Sequence, residues 1–374
     1  MSVTVIGLDG AALTPAAARY LGAATLVVGG SRNLSAVDLP SNCRRIVLGT
    51  LAPAVQALHA HDGLAVVLAS GDPGFFGIVR TLRENGIQPR VLPAVSSVQR
   101  AFAAIGRSWD DVSVVSAHGR DLRQAANVCR ARAAVAVLTA PGAGPAELAV
   151  ALQGWERTLV IAEDLGGPDE RISVVSRDEA AAGAWREPNV VLCLTFPDVT
   201  PPLGWISGGE RPPPPPPAHI DPEVVASICA HLDPRPGQLV WAIGARAPAV
   251  AAGCVHHGAA ALLASSGPVI PEDLGAAAVG VRVVHEAVTA SLPEPDAIYL
   301  GRADPALLPI CASSIARRVV IALNDAASLD RTRAALQGTG FAVQVRQVAV
   351  SEVGSELSDE PPARTVATLL VATR

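Results

Sequence analysis

The chain has 374 residues, of which 50% are hydrophobic and 17% charged. At roughly 150 residues per domain this predicts two or three domains, and the apolar content excludes a mainly disordered chain. Lys+Arg 29 against Asp+Glu 34 gives a net charge of −5, and no basic tract offsets it, which excludes broad nucleic-acid binding. Aromatic residues are only 3%, so the cores must be aliphatic. There is no lysine, which excludes Schiff-base lysine chemistry and a P-loop lysine.

The start, Met1-Ser-Val-Thr-Val-Ile-Gly7, has no basic segment before an apolar run and does not read as a secretory signal. The most apolar long stretch, Ala242 to Ser265, carries Arg246, His256 and His257, so no membrane span is expected. The cysteines Cys43, Cys129, Cys193, Cys229, Cys254 and Cys311 contain no CxxC. They read as small buried hydrophobes in a reducing cytoplasm, with no metal site and no disulfide framework.

In chain order, strands are predicted at Val3–Ile6, Thr25–Val28, Arg45–Leu48, Ala65–Ala69 and Gln88–Leu92. Helices at Thr14–Gly22, Ala52–His59, Gly77–Asn85 and Val95–Ile105 alternate with them, the pattern of a parallel sheet covered on both faces. A second series, Val112–Ser116, Val135–Leu138, Thr158–Ala162 and Val190–Thr195, predicts a second α/β lobe. The lobes are expected at about residues 1–110 and 111–207. Residues 208–219 hold six consecutive prolines, Pro212 to Pro217, and read as an extended, semi-rigid linker.

Residues 220–374 open with a helix at Pro222–Leu232. Strands follow at Gln238–Ile243, Ala259–Ala264, Val281–His285, Ala297–Leu300, Val319–Leu323, Ala342–Val350 and Ala367–Thr373, the last two as an antiparallel pair.

Open α/β sheets bind ligands beyond the carboxyl ends of their strands, so the turns after apolar strands are the candidate sites. Gly7-Leu-Asp-Gly10 is the first, and its glycines permit positive φ and close approach to backbone. The second is Ala69-Ser-Gly-Asp-Pro-Gly-Phe-Phe-Gly77. There a helix is expected to start near Phe75, with its free amides available, and Phe75 and Phe76 could wall a heterocycle. The third is Pro93-Ala-Val-Ser-Ser-Val-Gln-Arg-Ala-Phe102, where Ser96 or Ser97 would cap a helix. The fourth is Ser116-Ala-His-Gly-Arg120. No hydrolase triad order and no Gly-x-Ser-x-Gly elbow occurs.

These motifs, with Leu13-Thr14, Val27-Val-Gly-Gly-Ser-Arg32, Trp109-Asp-Asp111 and Glu163-Asp-Leu-Gly-Gly-Pro168 followed by Glu170, resemble the tetrapyrrole (corrin) methylases over about 195 residues. Within them the resemblance is to the branch acting on precorrin-6Y in cobalamin synthesis. It implies S-adenosylmethionine (SAM) as methyl donor, held in a cleft between two α/β lobes, and a precorrin as partner. It implies donor contacts from Gly7, Asp9, Gly10, Gly71, Asp72, Pro73, Phe75, Ser96 and Ser97. A corrin precursor carries acetate and propionate groups, and arginine forks suit carboxylates, so Arg32, Arg100, Arg107, Arg120 and His118 are candidate clamps. The resemblance also implies self-association into a homo-oligomer. The alternatives are a corrin methylase acting at another carbon and a non-catalytic scaffold that carries corrin intermediates.

The C-terminal half resembles a Rossmann-like methyltransferase domain, which in fused precorrin-6Y enzymes is linked to acetate decarboxylation and C-15 methylation. Its glycine loop, close to Trp-Asp-x-Gly-Ala-Gly-Ser-Gly in the family, here reads Trp241-Ala-Ile-Gly-Ala-Arg-Ala-Pro248. Ala242 replaces the acid, Arg246 and Pro248 replace glycines, and Arg302 stands where another glycine is expected. This predicts a pocket closed to SAM. The half is then a structural or oligomerising remnant, or a SAM-independent decarboxylase using Arg246, His256 or His257.

Overall fold

A computed structural model describes residues 2–195, 222–265, 269, 274–285, 292–323, 326–351 and 364–374. The expected linker at 208–219 lies outside the described residues. Among the described residues the strands form three sheets.

The first lobe alternates β1 (Ser2–Leu8), α1 (Pro15–Gly22), β2 (Leu26–Gly29), α2 (Ser31–Ser35), β3 (Arg44–Val47), α3 (Leu51–His59), β4 (Leu64–Ser70), α4 (Ile78–Glu84), β5 (Arg90–Leu92) and α5 (Ser97–Ala104). Its sheet has the order β3-β2-β4-β1-β5 and every pairing is parallel. Parallel strands put all their carboxyl ends on one edge. The turns after β1, β2, β4 and β5 therefore meet there, although up to about 90 residues separate them in the chain.

The second lobe comprises β6 (Ser113–Ser116), α6 (Leu122–Ala131), β7 (Ala134–Leu138), α7 (Pro145–Ala151), β8 (Arg157–Glu163), β9 (Arg171–Ser176), α8 (Arg177–Ala182) and β10 (Asn189–Thr195). Here the sheet is mixed. The order is β6-β7-β10-β8-β9, and only β6 and β7 run parallel. β9 follows β8 after a short turn, so the chain reverses instead of crossing over, a connection that only antiparallel strands allow. Because β10 runs against both neighbours, its start (Asn189, Val190) lies beside the ends of β7 (Leu138) and β8 (Glu163).

The C-terminal half comprises α9 (Pro222–Leu232), β11 (Leu239–Ile243), α10 (Ala247–His256), β12 (Ala260–Ala264), β13 (Val281–Val284), β14 (Ala297–Leu300), α11 (Leu308–Ser313), β15 (Arg318–Leu323), α12 (Ala326–Gln337), β16 (Ala342–Ser351) and β17 (Arg364–Thr373). The sheet order is β13-β12-β11-β14-β15-β17-β16. It is parallel as far as β15 and antiparallel through β17 and β16, a Rossmann-like sheet that ends on the antiparallel pair read from the sequence.

The second lobe is built into the C-terminal half. Arg123 on α6 grips Asp296 through two bonds of 2.8 and 2.9 Å, and Asp296 also accepts the Leu239 amide at 2.8 Å. Buried Arg157 donates to the carbonyls of Cys129, Arg130 and Val279. Trp155 is 4% exposed and shares a core with Leu239, Trp241 and Ile298, with the guanidiniums of Arg130 and Arg282 over its ring. Burial pulls Arg130 down to about 10. Five of the cysteines are buried and Cys43 is half-buried; all six are free thiols.

Trp155→Ala should cost about 3–5 kcal/mol, the usual range for removing a buried aromatic side chain. Urea unfolding of the full chain should show the two halves lost together in one transition. Two separate transitions, with only one of them shifted, would contradict a shared core.

Candidate functional site

The two lobes face one another across a cavity of about 540 Å³. The first lobe contributes its carboxyl-edge turns, with Asp9, Gly10, Arg32, Asn33, Gly71, Ser97 and Arg100 among the lining residues. Opposite them lie Leu138 at the end of β7 and Thr139 after it, Leu165 to Pro168 after β8, and Pro188 to Val190 at the start of β10. The wall is mixed. Leu8, Val95, Leu138, Leu165 and Val190 are apolar, while hydroxyls, amides and one carboxylate face the same space.

Close backbone contact shapes this cleft. A Cβ on Gly7 would lie 2.2 Å from the Gly71 carbonyl oxygen and 2.7 Å from the Ala94 amide. Gly7 is thus pressed between the β4 and β5 turns and does not line the cavity, so its requirement is packing against protein. Gly10, at φ +86°, meets the second lobe: its Cβ would lie 1.9 Å from the Gly166 carbonyl oxygen. The Asp9 carboxylate accepts the amides of Ala11 (3.0 Å) and Val95 (3.2 Å), tying the β1 turn to the β5 turn.

The Gly-Asp-Pro turn folds on itself. Asp72 accepts the Gly74 amide at 2.8 Å, and the Phe75 amide donates to the Asp72 carbonyl at 3.1 Å. The helix expected near Phe75 begins instead at Ile78. Phe76 sits at φ +52° and a Cβ on Gly77 would lie 2.3 Å from the Pro73 carbonyl oxygen, so the chain cannot turn helical before that glycine. Phe75 packs into the second lobe's core beside Phe102, and Phe76 stays exposed with the Arg120 guanidinium over its ring. Asp72, Pro73 and Phe75 hold the turn and do not line the cavity.

Ser96 caps α5: it accepts the Gln99 amide at 3.2 Å while Gln99 accepts the Ser96 amide at 2.9 Å. The reciprocal cap occupies Ser96 and leaves Ser97 on the cavity wall. Arg32 pairs with Asp164 at 2.6 Å and Arg100 with Glu170 at 3.3 Å, both across the lobes. Arg107 is withdrawn from the cleft, because both its terminal nitrogens bind Asp111 and its side chain is buried. His118 and Arg120 are exposed on the turn after β6, beside Phe76 and outside the cavity lining.

Asn33, Thr139 and Asn189 line the cavity and lie in no sequence motif. The Thr139 hydroxyl lies 2.6 Å from the Asn189 carbonyl and 2.7 Å from its Oδ1, joining β7 to β10 at the wall. The Ser70 hydroxyl donates to Asn33 Oδ1 at 3.1 Å. Below the 164–170 loop, fully buried Glu163 binds Arg171 at 2.6 Å and accepts the Arg186 amide at 2.7 Å. Isolated Thr and Asn residues give no signal in one sequence; only strand pairing brings these together.

In the C-terminal half, Gly244 (φ +86°) and Arg246 (φ +62°) trace the tight turn between β11 and α10. Arg246 takes up a left-handed conformation that a glycine adopts freely and a side chain at a cost of about 1–2 kcal/mol. The turn is seated on the end of β14: a Cβ on Gly301 would lie 2.2 Å from the Ala245 amide, and the Tyr299 hydroxyl donates to the Ala245 carbonyl at 2.9 Å. Burial pushes Tyr299 up to about 12, which keeps it a neutral donor. His256 and His257 lie at the far end of α10 from this turn, roughly 15 Å along a helix rising 1.5 Å per residue. Arg246 and the two histidines therefore lie at opposite ends of α10.

Residues 5–181 match the family of tetrapyrrole (corrin/porphyrin) methylases. A precorrin-6Y C(5,15)-methyltransferase [decarboxylating] from Sinorhizobium is 32% identical over 321 residues, 80% of this chain and 78% of the relative. The chain belongs to the precorrin-6Y C(5,15)-methyltransferase family. A cobalt-precorrin-7 C(5)-methyltransferase of Salmonella typhimurium is 36% identical over 205 residues, 51% of this chain and 98% of the relative. Among solved structures, the precorrin-6Y methylase of Archaeoglobus fulgidus is 21% identical and covers 52% of this chain and 97% of its own, with a TM-score of 0.42. Among the described residues no helix is long and apolar enough to cross a membrane, and no three His, Cys, Asp or Glu side chains gather to hold a metal ion.

Gly166→Ala should destabilise the chain by about 1–3 kcal/mol, because the new methyl would fall 2.1 Å from the Asp9 carbonyl oxygen. Gly119→Ala, also at positive φ (+65°) but facing open space, is the control for backbone strain alone. Thermal melting of both variants should show the larger loss for Gly166→Ala; equal losses would contradict a close-packed lobe junction.

Proposed function

We propose that the chain methylates a precorrin of the precorrin-6Y type at C-5, with SAM bound in the cleft between the first two lobes. The observation that carries this reading is a cavity with apolar walls and convergent polar groups, lying where the carboxyl-edge turns of the first lobe meet the second. Support also comes from a C(5)-methyltransferase matched over 98% of its length by about half of this chain.

The cavity's volume lies within the range of about 300–1,000 Å³ typical of small-molecule sites. In this reading Asp9, Gly10, Gly71 and Ser97 hold the donor, together with Thr139 and Asn189 from the second lobe, and Gly7, Asp72, Pro73, Phe75 and Ser96 set the turns that present them. The donor supplies a methyl group on a sulfonium, an electrophile that reacts by in-line displacement. The chain's residues position the acceptor carbon and exclude water, effects worth up to about 7–11 kcal/mol. Arg32 and Arg100 on the cavity wall face the acetate and propionate groups, while Arg120 and His118 lie outside that lining.

The same reading divides the chain at 1–207, 208–219 and 220–374 and places it in the cytoplasm as a self-associating enzyme. The C-terminal crevice is read as closed to SAM. At the switch point between β11 and β14, where such sheets bind ligands, the Ala245 backbone lies against Gly301. C-15 methylation and decarboxylation are then left to another protein.

Mass spectrometry of the product formed from precorrin-6Y and SAM tests this. We expect one added methyl and no loss of carbon dioxide. Two methyls with decarboxylation would overturn the closed crevice, and no methyl with tight precorrin binding would favour a scaffold.

A further inference from the structure

Resting on the corrin-methylase reading, we propose that the acidic loop at residues 164–170 is a built-in competitor for the two cleft arginines. It makes admission to the site conditional on a ligand with carboxylates of its own.

Both arginines belong to the first lobe and line the cavity, and both are held by carboxylates of a single loop of the second lobe: Arg32 by Asp164 and Arg100 by Glu170. The pairs are half-open to water, with side-chain exposures of 50% and 18% for the first and 32% and 37% for the second. Such pairs are weak and easily exchanged. The guanidinium forks therefore already meet carboxylate partners of the chemistry that a corrin precursor presents on its rim.

The two carboxylates can release the arginines while the loop stays docked through Gly166. Asp164 also accepts the Asp169 amide at 3.2 Å, and Glu170 accepts the Gly166 amide at 2.6 Å. Both acids thus keep partners within their own loop when the arginines turn away. Asp164 sits at φ +46°, a strained conformation for a residue with a side chain, and Gly166 docks on Gly10 through backbone alone. Loop and ligand then offer the same arginines the same kind of group. A neutral or singly charged molecule of similar size does not repay breaking two pairs.

The test measures binding of cobyrinic acid, a corrin with free carboxylates, and of its full methyl ester, to the full-length chain. Wild type is compared with Asp164→Asn/Glu170→Gln and with Asp169→Asn. Asp169 belongs to the same loop but pairs with Arg186, so its variant removes a charge without removing a competitor. The double variant should bind the acid about two- to tenfold more tightly, Asp169→Asn should stay within about twofold of wild type, and the ester should not distinguish the three proteins. Equal tightening in Asp169→Asn would overturn the proposal in favour of net charge. Unchanged or weaker binding by the double variant would overturn it in favour of a purely structural tether. Binding of S-adenosylhomocysteine is measured in parallel: its failure in wild type would strike the methylase reading, while the carboxylate comparison still decides the competitor.

Discussion

The architecture depends on one close approach. Gly10 and Gly166 bring the backbones of two lobes together where no side chain fits, and a Cβ on either glycine would lie about 2 Å from the facing carbonyl oxygen. This contact sets the width of the cleft. Asp9, one residue away, joins the β1 and β5 turns, and the ion pairs of Arg32 and Arg100 close the same junction from the sides. Side chains at the junction would hold the lobes apart and open the cavity to bulk water, where a site that works by positioning loses its advantage.

A second junction ties the site to the rest of the chain. The second lobe shares a core with the C-terminal sheet through Trp155, and Arg123, Arg157 and Asn127 bond across it. The C-terminal half forms a tight turn between β11 and α10, with Gly244 and Arg246 both at positive φ. The sheet buries β11 and β14 at its centre.

Much of the first lobe is readable in its sequence, because parallel strands with short apolar runs and glycine turns announce themselves locally. The cap of α5 shows this well: it is expected at Ser96 or Ser97, and the structure forms it at Ser96. The second lobe is less legible. β9 is an edge strand with exposed Val174 and flanking charges, and nothing in Arg171–Ser176 announces a reversal of direction. The helix after the Gly-Asp-Pro turn starts late, because the left-handed Phe76 is invisible to propensity. Pairs such as Arg32 with Asp164 join residues 132 positions apart, and only the assembled sheets reveal them.

The central claim, that the cleft between the first two lobes is the methyl-donor site, is tested most directly by a crystal structure of the full chain with S-adenosylhomocysteine. The account predicts the nucleoside between Asp9 and Ser97 on one side and Thr139 and Asn189 on the other. A nucleoside seated instead beside Gly244 and Gly301, with that cleft empty, would contradict it.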